Sequence, residues 1–314
     1  MKYRTVGRTG LVVSELCVGG WIYIGGEIAD DESGKIMRTA LRRGINFFDT
    51  AEAYADGRSE EVMGSLLRDV PREEFVLATK VAGPGQPESP NKWGLSRKHI
   101  LAACDGSLKR LGMDYIDLYQ AHWWDPNVPL EETMCALNDL VRAGKVRYLG
   151  CSNFSAAQLY RSLEISAHEG WARFDSVQPC YSMLNRHPET DLLPLCRLAG
   201  IGVIPYSPLA GGILSGKYRI GSKPAKGTRA GDNPGFRKQL TKETLQKVAK
   251  LKRIAAARKK TVSQLSLAWL LSRDEMTAPI VGPRRSEQLQ DNIGGSGWSL
   301  KENELGEIEQ ILRD

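Results

Sequence analysis

The chain has 314 residues, is 41% hydrophobic and 25% charged, and carries a formal net charge of +6 with a pI near 8.9. That is the composition of a globular protein with a large core. So mild a basic excess suits an anionic small ligand and argues against nucleic acid, which calls for a concentrated basic stripe. No apolar run approaches the roughly 18 residues of a membrane span, and MKYRTVGRTG lacks the apolar core of a signal peptide, so a cytoplasmic protein with reduced thiols is expected.

YRTVGRTGLVV at the start reads as a hairpin turning near Gly7 and Gly10. Eight strand-like runs follow: SELCVGG (14–20), INFFDT (45–50), FVLATKV (75–81), IDLYQAH (116–122), VRYLGCS (146–152), SVQPCY (176–181), GVIPYSP (202–208) and APIVG (278–282). They are near-continuously apolar, as parallel strands covered on both faces are. Amphipathic stretches such as ESGKIMRTALRRG, SEEVMGSLLRDV, SRKHILAACDGSLKRLG, LEETMCALNDLVRAGK and SAAQLYRSLEISAHEG lie between them, several opening on a capping Ser and ending near Gly. Strand–helix alternation implies right-handed βαβ units, and eight such units close most naturally into a (β/α)8 TIM barrel. Its N-terminal end is plugged by the hairpin, and 1–314 form one domain. The alternative, a doubly wound sheet, usually has a glycine-rich fingerprint after its first strand, and GGWIYIGGEI is not one. After the seventh strand, 211–236 is rich in Gly, Pro and basic residues. It reads as a lid over an anionic ligand, with a floppy linker as the alternative. Two more helices, TKETLQKVAKLKRIAAARK and SQLSLAWLLSR, precede the last strand.

Asp49, Tyr54, Lys80 and His122 stand at or just past the ends of successive strand runs, where such barrels hold their chemistry. A tyrosine hydroxyl donates a proton, a lysine ammonium beside it lowers its pKa, a carboxylate holds the lysine, and an imidazole grips a carbonyl oxygen. That set supplies acid and orientation but no electron source, so carbonyl reduction requires a hydride-carrying cofactor. Gly211, Gly216 and Lys217 imitate a phosphate-binding loop, but Tyr218 replaces the Ser or Thr that would hold magnesium, so a nucleoside triphosphatase is rejected. His99, His122, His168 and His187 offer no metal-ligand pair, and no metal is expected. Six cysteines show no CxxC pair. Cys151 and Cys180, near strand ends, are buried structural thiols or reactive ones. Among the rim aromatics Trp21, Trp93, Trp123 and Trp124, the first and third are expected to wall a substrate pocket.

These segments resemble the aldo-keto reductase family along essentially the whole chain, from VGRTGLVVSELCVGG to IVGPRRSEQLQDN. INFFDTAEAY resembles the Asp/Tyr segment of the family, LATK its lysine strand and DYIDLYQAHWW its histidine strand. The resemblance implies a reductase of small carbonyl compounds in which Tyr54 is the acid in reduction and the base in alcohol oxidation. It implies NADPH as cofactor, with Ser152, Asn153 and Gln178 on the nicotinamide carboxamide and Tyr206 stacked on its ring. Ser207, Leu209, Gly211 and Lys217 would lie along the pyrophosphate, and Gly282, Arg284, Gln288 and Asn292 around the adenosine and its 2′-phosphate. Arg284 and a helix N-terminus in PRRSEQLQDN suit a 2′-phosphate, and no carboxylate is expected where a 2′-hydroxyl would be held. Gly282 stands where many animal members have a lysine, so Arg284 and Arg285 would compensate. Two further readings remain open. One is a channel-associated regulatory subunit holding NADPH, which the opening segment and lid also resemble. The other is a sugar or steroid alcohol dehydrogenase working in oxidation.

Overall fold

The computed structural model describes residues 1–82, 89 and 91–313. Strands β1 (Tyr3–Thr5) and β2 (Val12–Ser14) pair antiparallel as the expected hairpin. Gly7 turns it at φ 53°. A Cβ there would stand 2.5 Å from the Gly200 carbonyl oxygen and 2.7 Å from the Gly202 nitrogen, so only glycine fits. Arg8 donates its N–H to Gly200 O (3.1 Å), and the Arg4 guanidinium donates to the carbonyls of Leu271 (2.6 Å) and Met276 (2.8 Å). These bonds fix the hairpin beneath the barrel.

Eight parallel strands follow: β3 (Cys17–Gly19), β4 (Phe47–Asp49), β5 (Val76–Val81), β6 (Ile116–Ala121), β7 (Val146–Ser152), β8 (Phe174–Gln178), β9 (Gly202–Val203) and β10 (Ile280–Val281). They form one sheet in the order β10-β3-β4-β5-β6-β7-β8-β9. Its two ends are joined by backbone bonds from Val203 N–H to Glu275 O (3.0 Å), Thr277 N–H to Val203 O (2.8 Å) and Ile280 N–H to Pro205 O (2.9 Å). The anticipated (β/α)8 barrel is therefore closed. The last three strands are shorter than their apolar runs suggest, because Pro179, Pro205 and Pro279 offer no N–H to a ladder.

The helices are α1 (Asp30–Arg42), α2 (Arg58–Leu67), α3 (Arg97–Leu111), α4 (Leu130–Arg142), α5 (Ala156–Glu169), α6 (Leu192–Ala199), α7 (Arg229–Asp232), α8 (Pro234–Arg237), α9 (Lys242–Ala257), α10 (Val262–Leu271), α11 (Ser286–Ile293) and α12 (Glu302–Arg313). Ser155 and Thr261 close reciprocal caps with Gln158 and Gln264, and Gly112, Gly170 and Gly200 end their helices in the left-handed region. Helices α6 and α12 were not foreseen. Pro194 interrupts the pattern of one and Gly306 that of the other.

Strand parity decides what lies inside the barrel. Phe47, Val76, Ala78, Leu118 and Ile280 share an inner apolar cluster with Val6 and Val13 of the hairpin. Continuing the same parity toward the strand ends brings Asp49, Lys80, Gln120 and His122 onto that floor. The opposite faces, including Phe48, Leu77 and Tyr119, bury against the helices. Phe47 is fully buried in the interior. Phe47→Ala should therefore lower unfolding free energy by about 3–5 kcal/mol in urea titration, the cost of an unfilled aromatic cavity.

Candidate active site

Lys80 has no exposed surface, and its ammonium donates to Asp49 Oδ2 (2.6 Å), the Thr50 carbonyl (2.8 Å) and the Tyr54 hydroxyl (3.0 Å). Asp49 Oδ1 accepts from Gln178 Nε2 (2.9 Å) and Gln120 Nε2 (3.2 Å). Gln120 was not anticipated, since a glutamine in a strand carries no signature of its own. Its parity with His122 and its register with Lys80 were the available clue. The His122 ring meets the Tyr54 ring edge-on at 5.6 Å, and its buried Nδ1 has no partner among the described residues.

Burial raises the Tyr54 pKa, Lys80 pulls it down, and the net shift is upward. This corrects the expectation that the lysine would bring the phenol below its free value, because loss of water outweighs the ammonium. For Lys80 the balance is reversed. Burial presses its pKa down, but Asp49 and Tyr54 leave it above the ordinary value. Burial, then the Lys80 charge, lowers His122 to about 2, so its imidazole is neutral.

A cavity of about 640 Å³ opens above this cluster, within the size range of ligand pockets. Tyr54, Asp49, His122, Trp21 and Trp123 line it, as do all twelve residues expected around a cofactor. Trp93 and Trp124 do not line it. Trp124 packs edge-on against Phe154 (5.5 Å) instead. Most of the loop preceding Trp93, residues 83–88 and 90, lies outside the described residues. Asn153 receives the Tyr206 hydroxyl on Oδ1 (2.9 Å) and donates to the His122 carbonyl and to Ser152 Oγ (both 3.0 Å), which sets the Tyr206 ring against the cavity. Seven of the eight non-glycine residues with positive φ among the described residues, Ile22, Ala55, Asp56, Ala82, Asn153, Ser207 and Ala210, follow the C-terminal ends of strands. Backbone strain is thus concentrated at the rim, where functional sites tend to store it.

The far end of the cavity departs from expectation. Arg284 lines it, but its guanidinium donates to the Gly227 carbonyl (2.8 Å) and stands 3.5 Å from the Glu27 carboxylate. The amides at the start of α11 are engaged as well. Ser286 N–H donates to Glu32 (3.3 Å) and Arg284 N–H to Gln288 Oε1 (2.8 Å). Glu287 and Asp291 also line the cavity, whereas Arg285 is not among its lining residues. The lid is folded, not a loose linker: Ala230 N–H donates to the Tyr218 hydroxyl (3.2 Å), and Arg237 to the carbonyls of Ala230 (2.8 Å) and Gly231 (2.7 Å). It delivers Arg229, which was not foreseen, into the cavity beside Trp21, 5.2 Å from that ring. Its basic composition was the one clue to such a residue. Cys151 is fully buried and its thiol pKa is pushed well up by that burial, which favours the structural role. Among the described residues no group of three or more His, Cys, Asp or Glu could hold a metal, and no helix is long and apolar enough to cross a membrane.

The groove suits a dinucleotide. Gly211 and Gly212 bend along it at positive φ, Gly282 leaves a Cβ-free stretch facing Tyr23, and Lys217, Arg229 and Arg284 furnish cations along its length. The sequence profile of the aldo/keto reductase family matches residues 15–313. A protein of Arabidopsis thaliana named "probable voltage-gated potassium channel subunit beta" is 39% identical over 93% of this chain and 90% of its own. An L-glyceraldehyde 3-phosphate reductase of Escherichia coli O157:H7 is 36% identical over 100% of this chain and 93% of its own. An aldo-keto reductase of Fusarium vanettenii is 35% identical over 99% and 91%. With the profile spanning the barrel from its first strand to its last helix, and relatives aligned over nearly their full lengths, the chain belongs to the aldo/keto reductase family.

Proposed function

We propose that the protein is an NADPH-dependent reductase of aldehydes and ketones, one barrel domain in which Tyr54 is the proton donor. The observation that supports it most is the Tyr54 hydroxyl held 3.0 Å from a fully buried Lys80 ammonium, itself anchored on Asp49 at the floor of the cavity. A bound nicotinamide supplies the hydride. Tyr206 supports its ring, with Ser152, Asn153 and Gln178 at its carboxamide. Ser207, Leu209, Gly211, Lys217 and Arg229 follow the pyrophosphate. Gly282, Arg284, Gln288 and Asn292 surround the adenosine and its 2′-phosphate. Neutral His122 donates a hydrogen bond to the substrate oxygen, Tyr54 gives that oxygen its proton, and Lys80 stabilises the phenolate left behind. In alcohol oxidation the same residues act in reverse.

A second reading draws on the name of the Arabidopsis relative. In it the chain holds NADPH behind its lid, clasped by Arg284 on Gly227, and serves as a regulatory subunit that turns over slowly. A screen of NADPH oxidation against a broad set of carbonyls separates the two, since sustained turnover belongs only to the first.

Tyr54→Phe keeps the ring and removes only the donor, so kcat should fall by about 10²- to 10⁴-fold with NADPH affinity intact. Retention of more than a tenth of wild-type turnover with an active aldehyde would exclude Tyr54 as the acid. The pH profile follows from the shifts. Tyr54, raised above the free phenol, keeps its proton to higher pH, and His122, at about 2, is neutral throughout the working range. Reductive kcat/KM, measured with cofactor saturating, should show neither a limb near pH 6.5 nor a descent below pH 9. Arg284→Ala should weaken NADPH by about tenfold in fluorescence titration and NADH by clearly less, since only NADPH carries the 2′-phosphate while both lose the clasp on the lid. This is a charge-assisted contact reduced by its partial exposure.

A further inference from the structure

Gln120 lies in β6 and Gln178 in β8, strands that are not neighbours in the sheet. Their side chains meet across β7, where Gly150, the register partner of Gln120, leaves room. A Cβ on Gly150 would stand 3.1 Å from Gln120 Cγ and run into Ser176 Oγ. Gln178 Nε2 donates to Asp49 Oδ1 (2.9 Å) and to Gln120 Oε1 (3.2 Å), and Gln120 Nε2 donates to the same Asp49 oxygen (3.2 Å). All three side chains are buried, but only Asp49 and Gln178 line the main cavity. Chemistry fixes which way each amide points. Asp49 is paired with the Lys80 ammonium, and a carboxylate accepts hydrogen bonds without donating any. Both glutamines must therefore turn their NH₂ groups toward it. The oxygen of Gln120 is then free to take the second N–H of Gln178. With both hydrogens engaged, Gln178 offers the cavity an oxygen and no donor, and among the described residues nothing donates to that Oε1.

We infer that Gln120 is a positioning residue that locks the Gln178 amide with its oxygen outward, and so makes the site selective for a nicotinamide over a pyridine ring that carries an acetyl or a carboxylate group. This rests on the placement of the nicotinamide carboxamide at Gln178 proposed above. Gln120 acts only through Gln178, since it does not line the cavity. The selectivity follows from counting donors. A carboxamide brings an N–H to the Gln178 oxygen. An acetyl group sets a methyl against it and leaves a buried acceptor unsatisfied, and a carboxylate sets an anion against it. Without Gln120, Asp49 holds one N–H of Gln178 and the other is released to turn toward the cavity, where it would serve an acetyl or carboxylate oxygen equally well.

The test is calorimetric titration of NADP⁺, its acetylpyridine analogue and its nicotinic acid analogue into the wild-type protein and into Gln120→Leu, Gln120→Met and Gln120→Glu, with no turnover required. The wild type should bind the acetylpyridine analogue about tenfold more weakly than NADP⁺, the cost of one unsatisfied acceptor, and the nicotinic acid analogue at least as weakly again. Gln120→Leu keeps the bulk and removes the acceptor, so both preferences should shrink to about threefold or less. Gln120→Met should do the same should the leucine variant misfold. Gln120→Glu keeps an acceptor for Gln178 and should retain the preferences, although a second carboxyl beside Asp49 costs stability. A residue that only filled space would give the opposite ranking, with the apolar variants mild, the glutamate variant severe, and all three ligands affected alike. Preferences unchanged in Gln120→Leu and Gln120→Met, or lost as fully in Gln120→Glu, would overturn the lock. Binding of all three ligands to the wild type without preference would also overturn the lock and leave the cofactor reading standing. Failure of all three to bind would overturn the cofactor reading and the lock with it.

Discussion

Taking a primary ammonium fully out of water costs several kcal/mol unless its three hydrogens and its charge are all answered, and Lys80 is the group to which the rim is fitted. Asp49 answers the charge, the Thr50 carbonyl takes a second hydrogen, and the third is left for the Tyr54 hydroxyl. Asp49 is held in turn by Gln120 and Gln178 from two other strands, so four strands converge on one charge. The same charge helps to keep His122 neutral. Removing Asp49 would leave the ammonium buried and unpaired, whereas removing Tyr54 would leave it with two partners. Stability and chemistry thus depend on different members of one cluster.

Much of this was legible in the chain because it follows from strand parity. Polar residues at the ends of apolar runs, in phase with an apolar inner layer, have one place to go in a closed barrel, and Asp49, Lys80 and His122 are there. What was not legible depends on distance in sequence. Glu27 and Glu32 meet the Arg284–Ser286 segment across more than 250 positions (284 − 27 = 257; 286 − 32 = 254), and no local pattern pairs them. The direction of the Tyr54 shift was hidden for a related reason. The lysine beside it could be read from the sequence, but the depth at which both are buried is a property of the assembled barrel. Trp93 and Trp124 show the limit of composition, because an aromatic near the rim faces the cavity or the core according to its backbone.

The molecule separates strength from strain. The barrel interior follows the strand pattern closely, while positive φ at non-glycine residues gathers on the loops beyond the strands. Those loops keep their shape through cross-links such as Asn153 between His122 and Tyr206, and Arg284 on the lid. A rim held in this way is preorganised for a ligand instead of being assembled around one.

The ring closure described above has a consequence for how the chain reaches its native state. Cys17 and Ile280 are register partners although 263 positions separate them (280 − 17 = 263). Joining them is among the most non-local events in the fold and sacrifices the most chain freedom for the few bonds it forms. Until it happens, β3 and β9 are bare sheet edges able to pair with another chain. Self-association should therefore compete with folding at this last seam, making productive refolding strongly dependent on protein concentration although the finished barrel exposes no edge.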